Sequence, residues 1–222
     1  MKIGPMCSIR RVFSSILPFL WLALPFFAES SPHAKYSWQK IMSRGPVELY
    51  RIEIDRSGKG KFEFRRRGDE SILADFNLRP RALASLDELF QKADFFNTSK
   101  DFVSPRKVAD TGMKTLGLEE GDKKREVSFN YTEDRFLWQV VEYYENLCQQ
   151  ERSLFELELA LKFDKLGIPK RLEILDKDLN SRRIIAPERF TPLLQKIYND
   201  SSLMNIARVE AHRLLASIQK KQ

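Results

Sequence analysis

The sequence VELYRIEIDRSGKGKFEFR, residues 47–65, decides how the fold of this 222-residue chain is interpreted. From Val47 to Asp55, apolar residues alternate with charged ones, which is typical of a strand with one buried face. Ser57 to Gly60 predicts a hairpin turn, because its two glycines tolerate positive φ angles. Lys61 to Arg65 alternates again and places both phenylalanines on one face. The stretch therefore predicts an antiparallel β-hairpin.

The chain that follows extends this hairpin into a sheet with two helices. The predicted elements are a third strand at Ser71–Phe76, a helix after Pro80, a loop at Asn97–Asp110, a second hairpin with strands Met113–Leu118 and Arg125–Tyr131, and a helix from about Thr132 to Cys148. Thr132 is expected to cap the second helix. The order β-β-β-α-β-β-α predicts an α+β domain over residues 46–150, in which two helices pack on an antiparallel sheet.

The last third of the chain, residues 151–222, is predicted to be helical. Phe155 to Phe163 alternates like a strand, but it consists largely of Leu, Glu, Ala and Lys, which are better helix formers. Gly167 to Pro169 interrupts the pattern, and three more amphipathic helices are expected after it. This all-α region is predicted to form a helical bundle or a helical extension on the α+β domain.

The first 30 residues have the pattern of an export signal. A basic leader precedes the apolar run VFSSILPFLWLALPFFA at residues 12–28, and small residues follow it. Cleavage is expected after Ser30 or, as a second choice, after Ala28. The alternative is an uncleaved anchor, because an apolar run of this length reaches the lower end of what spans a bilayer. The pattern predicts a periplasmic or secreted protein, or one that is membrane-anchored by residues 12–28.

Between the export signal and the hairpin, residues 31–45 show no clear periodicity. This segment is predicted to be a leader into the fold, with at most a short helical turn at Tyr36–Met42. The α+β domain is therefore expected to begin at residue 46.

The predicted element order and two stretches of sequence resemble an uncharacterised domain family of exported bacterial proteins. The stretches are VELYRIEIDRSGKGKF at residues 47–62, and KADFF at residues 92–96 followed, after a loop that contains Asp110, by MKTLGLEEGDKKREVSFNY at residues 113–131. This resemblance covers about half of the chain. It implies an exported α+β domain of bacterial origin, and it transfers no activity, ligand or catalytic residue. Asp110 is the most distinctive polar position in the resemblance.

Composition and motif spacing argue against several kinds of function. The formal net charge of +7 is a mild excess with acidic and basic residues interleaved, which does not indicate nucleic-acid binding. The two histidines, His33 and His212, have no paired spacing for a metal, and no glycine-rich phosphate loop suggests a cofactor. Asp55 begins a loop that superficially resembles a calcium site, but Lys59 stands where an oxygen ligand is needed. Cys148 is the one cysteine left after signal cleavage and is predicted to be a buried thiol.

The sharpest charge cluster of the sequence surrounds the second strand of the first hairpin. Its basic residues are Lys59, Lys61, Arg65, Arg66 and Arg67. Such a cluster is predicted to contact an anionic envelope lipid or polymer. The alternative is that the charges protect an edge strand from aggregation.

The absence of a plausible base, metal motif or cofactor loop predicts a non-catalytic binding or scaffolding module of the bacterial envelope. Its partner would be an unknown protein or an anionic envelope component. The alternative is a carboxylate-dependent hydrolase that acts on an envelope or extracellular polymer, since a pair of catalytic acids need not be adjacent in sequence. That alternative requires two acids in one pocket with shifted pKa values.

Overall fold

Six antiparallel strands form one sheet in the computed structural model, which describes residues 35–220. The strands are β1 Lys35–Ile41, β2 Val47–Asp55, β3 Lys59–Arg66, β4 Ser71–Asn77, β5 Met113–Glu120 and β6 Lys123–Phe129. Their order across the sheet is β4-β3-β2-β1-β5-β6. The α+β class and both predicted hairpins are confirmed, with strand ends shifted by one or two residues. The predicted export signal lies outside the described residues.

The central strand β1 comes from the segment that was predicted to be a leader. It pairs with β2 from Lys35 opposite Asp55 to Ile41 opposite Leu49, and with β5 over its whole length on the other side. The predicted helical turn at Tyr36–Met42 is therefore wrong. Tyr and Trp favour strands, and the alternation of the buried Tyr36 and Trp38 with polar residues is a short strand signal, which pairing with two neighbours reinforces.

Five α-helices accompany the sheet within residues 35–220. They are α1 Pro80–Lys92, α2 Arg135–Phe163, α3 Ile168–Asn180, α4 Thr191–Asn199 and α5 Asn205–Lys220, and 3₁₀ turns at Lys165–Gly167 and Pro187–Phe190 precede α3 and α4. None of these helices has the length and apolar character needed to cross a bilayer. The predicted helical character of the last third is thus observed.

Helix α2 continues without a break through residue 150, where a domain boundary was predicted. Two separate hydrophobic clusters nevertheless pack against different parts of this helix. The first lies between the sheet, α1 and the part of α2 up to Cys148, and the second joins α2 from Leu154 onward to α3, α4 and α5. The chain contains no Gly or Pro between Asp134 and Asp164, so nothing interrupts the helix between the clusters.

The N-terminus of α2 is capped two residues later than predicted. Asp134 Oδ1 accepts hydrogen bonds from the backbone N–H groups of Phe136 and Leu137, at 2.9 and 2.8 Å. Thr132, the predicted cap, instead accepts a bond from the backbone N–H of Asp134 at 3.1 Å. Asp134 also forms an ion pair of 2.7 Å with Lys100, which ties the helix to the loop after α1.

The helices α1 and α2 cover one face of the sheet through aromatic contacts. Trp38 of β1 stacks on Tyr144 of α2, with ring centroids 5.8 Å apart and ring planes 4° apart. Tyr36, two residues earlier, contacts Phe90 of α1 at 5.9 Å. The hydroxyl of Tyr143 in α2 donates to the backbone oxygen of Ala82 in α1, at 2.9 Å. The central strand therefore lies directly beneath both helices.

The irregular segment between α1 and β5, which was predicted to be a loop, is held by Arg125 of β6. The Arg125 guanidinium donates to the backbone oxygens of Phe95 and Lys100, both at 2.7 Å. It also lies 4.9 Å from the centre of the Phe102 ring, which stacks on Phe95. This cation–π contact joins the loop to the sheet.

Replacement of Trp38 by alanine should destabilise the whole fold, because the side chain is 1% exposed in the central strand. We expect a loss of about 3–5 kcal/mol in the free energy of unfolding, measured by urea denaturation. Trp138→Ala is the matched control, since Trp138 is 38% exposed and should cost about 1 kcal/mol. Equal losses in the two variants would contradict the central position of β1.

Asp134→Ala should remove the helix cap and cost about 1 kcal/mol near neutral pH. Burial raises the pKa of Asp134, but hydrogen bonds from Lys100 and from the helix N–H groups outweigh it and lower the pKa below 3.8. The wild type should therefore have a higher free energy of unfolding than the variant. This difference should be fully present above pH 3.8 and should decrease as the pH falls through the pKa of Asp134 in the folded state.

Urea denaturation of both proteins across this pH range measures the difference. Asp122→Ala, in the exposed turn between β5 and β6, is the control and should change stability by less than about 0.5 kcal/mol. A difference between wild type and Asp134→Ala that grows as the pH falls would contradict the assignment of the cap.

Candidate binding face

The face of the sheet opposite α1 and α2 carries mostly polar side chains, and we call it the open face. Successive residues of a strand point to opposite sides, so the neighbours of the buried Tyr36 and Trp38 lie on this face. Its central members are Lys35, Ser37 and Gln39 of β1, Arg51, Glu53 and Asp55 of β2, Lys59, Lys61 and Glu63 of β3, and Leu73 and Asp75 of β4. Leu73 is 74% exposed and is the most exposed large apolar side chain of the sheet.

Charges of opposite sign alternate across neighbouring strands of the open face. Lys61 lies opposite Glu53 on one side and opposite Asp75 on the other. Lys35 lies between Asp55 and Glu119 in the same manner. Opposite charges in cross-strand pairs stabilise a sheet modestly, whereas like charges would oppose pairing. The register therefore converts charges that are scattered in the sequence into ordered rows.

Several of these charges form ion pairs that hold the side chains in position. Lys35 pairs with Glu53 at 3.0 Å, and Arg51 pairs with Glu63 at the same distance. Arg51 also donates to the side-chain oxygen of Gln39 at 2.9 Å. Because exposed ion pairs contribute little to stability, their main effect is to orient the groups.

A groove of about 740 Å³ lies at the end of the open face where β2 meets β3. Seven charged side chains line it, three positive and four negative: Lys35, Lys59, Lys61, Glu53, Asp55, Asp75 and Glu119. A second groove of about 400 Å³ shares Glu53, Lys61 and Asp75 with it and extends to Leu73. Together they form a continuous mixed-charge depression, which we call the groove. The volume of its larger part, about 740 Å³, is in the range of small-ligand sites.

Two carboxylates of the groove are held in their charged form. A hydrogen bond from the Ser57 hydroxyl, at 2.6 Å, is the main cause that lowers the pKa of Asp55, and the backbone N–H of Lys59 adds to it. A side-chain hydrogen bond from Lys124 lowers the pKa of Glu119. Both are therefore anions at neutral pH, whereas a general acid needs a raised pKa.

The carboxylate with a raised pKa, Glu151, lies away from the groove. Burial in α2 raises its pKa, and the guanidinium of Arg189, at 2.7 Å, opposes the shift. The neighbouring Gln150 donates to Glu151 and accepts from the backbone N–H of Ala186 at 2.7 Å. These bonds tie the segment before α4 to α2, which is a structural role.

The five basic residues singled out from the sequence do not form one patch. Lys59 and Lys61 line the groove, whereas Arg65 is six residues from Lys59 along β3, about 20 Å away at the rise of a strand. Arg66 is exposed at the end of β3, and Arg67 begins the following turn. The strand thus separates the two lysines from the three arginines.

The arginines lie beside the loop between β1 and β2. Arg67 donates to the backbone oxygens of Met42 and Ser43, at 2.9 and 3.0 Å. Arg65 is 3.4 Å from the carboxylate of Glu48. The Arg67 bonds hold the loop against the end of β3, whereas Arg65 pairs with a residue of the neighbouring strand β2.

Asp110 and a residue that was not predicted, Lys114, organise the start of β5. Asp110 accepts hydrogen bonds from the Ser43 hydroxyl and, at 2.9 Å, from the backbone N–H of Gly112. Lys114 is 1% exposed and donates to the backbone oxygens of Gly112 and Asn130, at 3.1 and 3.0 Å. Burial is the main cause that lowers its pKa. The sequence did contain a signal for its burial: Lys114 is two residues from the buried Leu116, so a strand places both side chains on the same face.

The part of the chain that the structure describes contains no group of three or more His, Cys, Asp or Glu side chains that could hold a metal ion. Cys148 is buried, as predicted, and burial raises the pKa of its thiol well above the usual value. A thiol in this state is a poor nucleophile. The groove is therefore the described feature with the clearest capacity to bind another molecule.

No protein-family model matches the chain, and no curated protein matches it in sequence. The resemblance to exported bacterial proteins therefore remains a prediction from the residues quoted above. Function has to be argued from the groove, because a fold class alone does not determine what a protein binds.

Arg67→Ala should destabilise the protein by about 1 kcal/mol, because it removes hydrogen bonds to the loop between β1 and β2. Arg66→Ala, one residue away and exposed, is the matched control and should change stability by less than about 0.5 kcal/mol. Urea denaturation compares the two variants. If both are neutral, Arg67 does not brace the loop.

Proposed function

We propose that this protein is a non-catalytic binding module of the bacterial envelope that holds a protein partner in the groove of its open face. The observation that carries the proposal is the alternation of ordered positive and negative side chains around a groove of about 740 Å³. Electrostatic complementarity of this kind favours specificity and fixes the register of a partner.

The mixed charge favours a protein over a uniformly anionic polymer or lipid as the occupant of the groove. Lys61 could attract an anion, but Glu53 and Asp75 on either side would repel the same anion. A peptide segment can carry both charges and can match the rows residue by residue. The contact with an anionic component that the sequence suggested for Lys59 and Lys61 therefore has less support.

The location in the envelope rests on the sequence alone. The basic leader and the apolar run at residues 12–28 support export, and they lie outside the described residues. Cleavage after Ser30 would release a periplasmic or secreted protein. Retention of the run would instead anchor the protein to the membrane.

The alternative, a carboxylate-dependent hydrolase, has weaker support than binding. The pKa values of Asp55 and Glu119 are lowered, which does not suit a proton donor at neutral pH. Glu151, whose pKa is raised, is buried and bonded to Arg189. A pair of acids with opposed pKa shifts in one pocket would have favoured the hydrolase.

Site-specific photo-crosslinking in the native host tests the proposal. A photoreactive residue in place of Lys61 should form a covalent adduct with one protein, which mass spectrometry identifies. The same residue in place of Lys177, an exposed lysine on α3, is the control and should give no such adduct. Adducts of equal yield at both positions, or none at Lys61, would contradict the proposal.

Charge reversal then tests whether the captured protein recognises the groove. Lys61→Glu should weaken the binding of the captured protein about tenfold, equivalent to about 1.4 kcal/mol. The new carboxylate would lie between those of Glu53 and Asp75 and would replace the positive charge of the row. Lys177→Glu should leave the affinity unchanged. Isothermal titration calorimetry with the purified partner measures both, and thermal denaturation confirms that each variant is folded.

A further inference from the structure

The turn between α2 and α3 carries two unusually exposed apolar side chains. Phe163 and Leu166 are each 79% exposed, more than any other large apolar residue in the described part of the chain. Phe163 ends α2, and Leu166 lies in the 3₁₀ turn that follows. We call this pair the apolar tip. A contiguous exposed apolar surface is a feature of sites that contact another molecule or a membrane.

The backbone beneath the apolar tip is fixed by hydrogen bonds. Asp164 Oδ1 accepts from the backbone N–H of Gly167 at 3.0 Å, and its other oxygen is 3.2 Å from the Arg171 guanidinium. Lys165 donates to the hydroxyl of Ser202 at 2.7 Å, which joins the tip to the turn before α5. The tip is therefore held outward by its own fold.

Two further exposed apolar residues follow that neighbouring turn. Met204 and Ile206 follow Ser202 by two and four residues, and they are 39% and 66% exposed. The hydrogen bond from Lys165 to Ser202 brings the two segments together. Each of the two segments that this hydrogen bond joins thus carries exposed apolar side chains.

Basic residues outnumber acidic ones in the sequence around the apolar tip. Residues 162–171 contain four basic side chains and one acidic one: Lys162, Lys165, Lys170, Arg171 and Asp164. The acidic one is paired with Arg171. Lys165 is 3.9 Å from Asp200, and Lys170 is paired with Glu173 at 2.9 Å, so these two lysines are partly compensated. Lys162 is exposed one residue before Phe163.

We propose that the apolar tip docks the helical region on an anionic lipid surface. Phe163 and Leu166 would enter the boundary between headgroups and acyl chains, while the flanking lysines would contact lipid phosphates. An apolar tip with adjacent cations fits this surface in both respects, whereas an apolar protein pocket would have to desolvate the lysines. With two apolar side chains, the docking is reversible and depends on the anionic charge.

An environment-sensitive dye at position 166 tests the proposal in the full chain. The variant Leu166→Cys is labelled with a nitrobenzoxadiazole dye in a Cys7→Ser background, and the buried Cys148 stays unlabelled. Vesicles of phosphatidylethanolamine and phosphatidylglycerol should raise the emission about fivefold and shift it to the blue. Vesicles of phosphatidylcholine alone should not. The dye reports the surroundings of position 166, and the same dye at position 73 controls for membrane contact made by residues 12–28.

Leu73→Cys, labelled in the same way, is the matched control, because Leu73 is 74% exposed on the sheet. Its emission should not change with either vesicle. Phe163→Ser or Lys162→Glu, combined with the label at position 166, should each reduce the response about fivefold.

Three results would overturn the proposal. They are no response at position 166 to anionic vesicles, an equal response at position 73, and a response that rises with protein concentration without vesicles. The last would mean that the tip joins two copies of the chain. Thermal denaturation of the labelled variants excludes loss of folding as the cause of a missing response.

Discussion

The pairing of β1 on both of its edges is the constraint on which the rest of the structure depends. β2, β3 and β4 form one antiparallel group, and β5 and β6 form another, and only β1 joins them. The same strand supplies Trp38, which stacks on Tyr144 and positions α2 over the sheet. Both faces of the sheet, the covered one and the open one, therefore depend on this short strand. One of the two rows of alternating charge requires this join, because Lys35 of β1 connects Asp55 to Glu119.

The sequence predicts elements whose pattern is local, and it fails where structure is imposed by distant partners. The first hairpin, helix α1 and the loop after it follow from alternation, helical spacing and turn residues. β1 carries a shorter signal, because only Tyr36 and Trp38 alternate with polar residues, and its place between β2 and β5 depends on pairing with distant segments. The boundary at residue 150 was placed after the predicted end of the second helix at Cys148, and the helix passes through it because no residue there interrupts a helix.

The composition of the candidate site could be predicted, but its arrangement could not. Lys59 and Lys61 were recognised as charged positions, yet their carboxylate neighbours come from other strands and appear only when the register is known. Arg67 was grouped with them by proximity in sequence, although its guanidinium binds backbone oxygens at the far end of β3. In each case the missing information was which strands are adjacent and in which register.

The length of α2 has a consequence for how this chain can be divided. Its 29 residues extend about 43 Å, and both hydrophobic clusters pack on the same helix. A fragment that ended at residue 150 would leave its last backbone carbonyls without helical partners and would expose the Phe155 contact to Phe64 as bare surface on the sheet. It would also lose Ala186, which belongs to the first cluster although it lies far along the chain. The first cluster therefore takes residues from both sides of such a cut, and the fragment that ends at residue 150 would have an incomplete core.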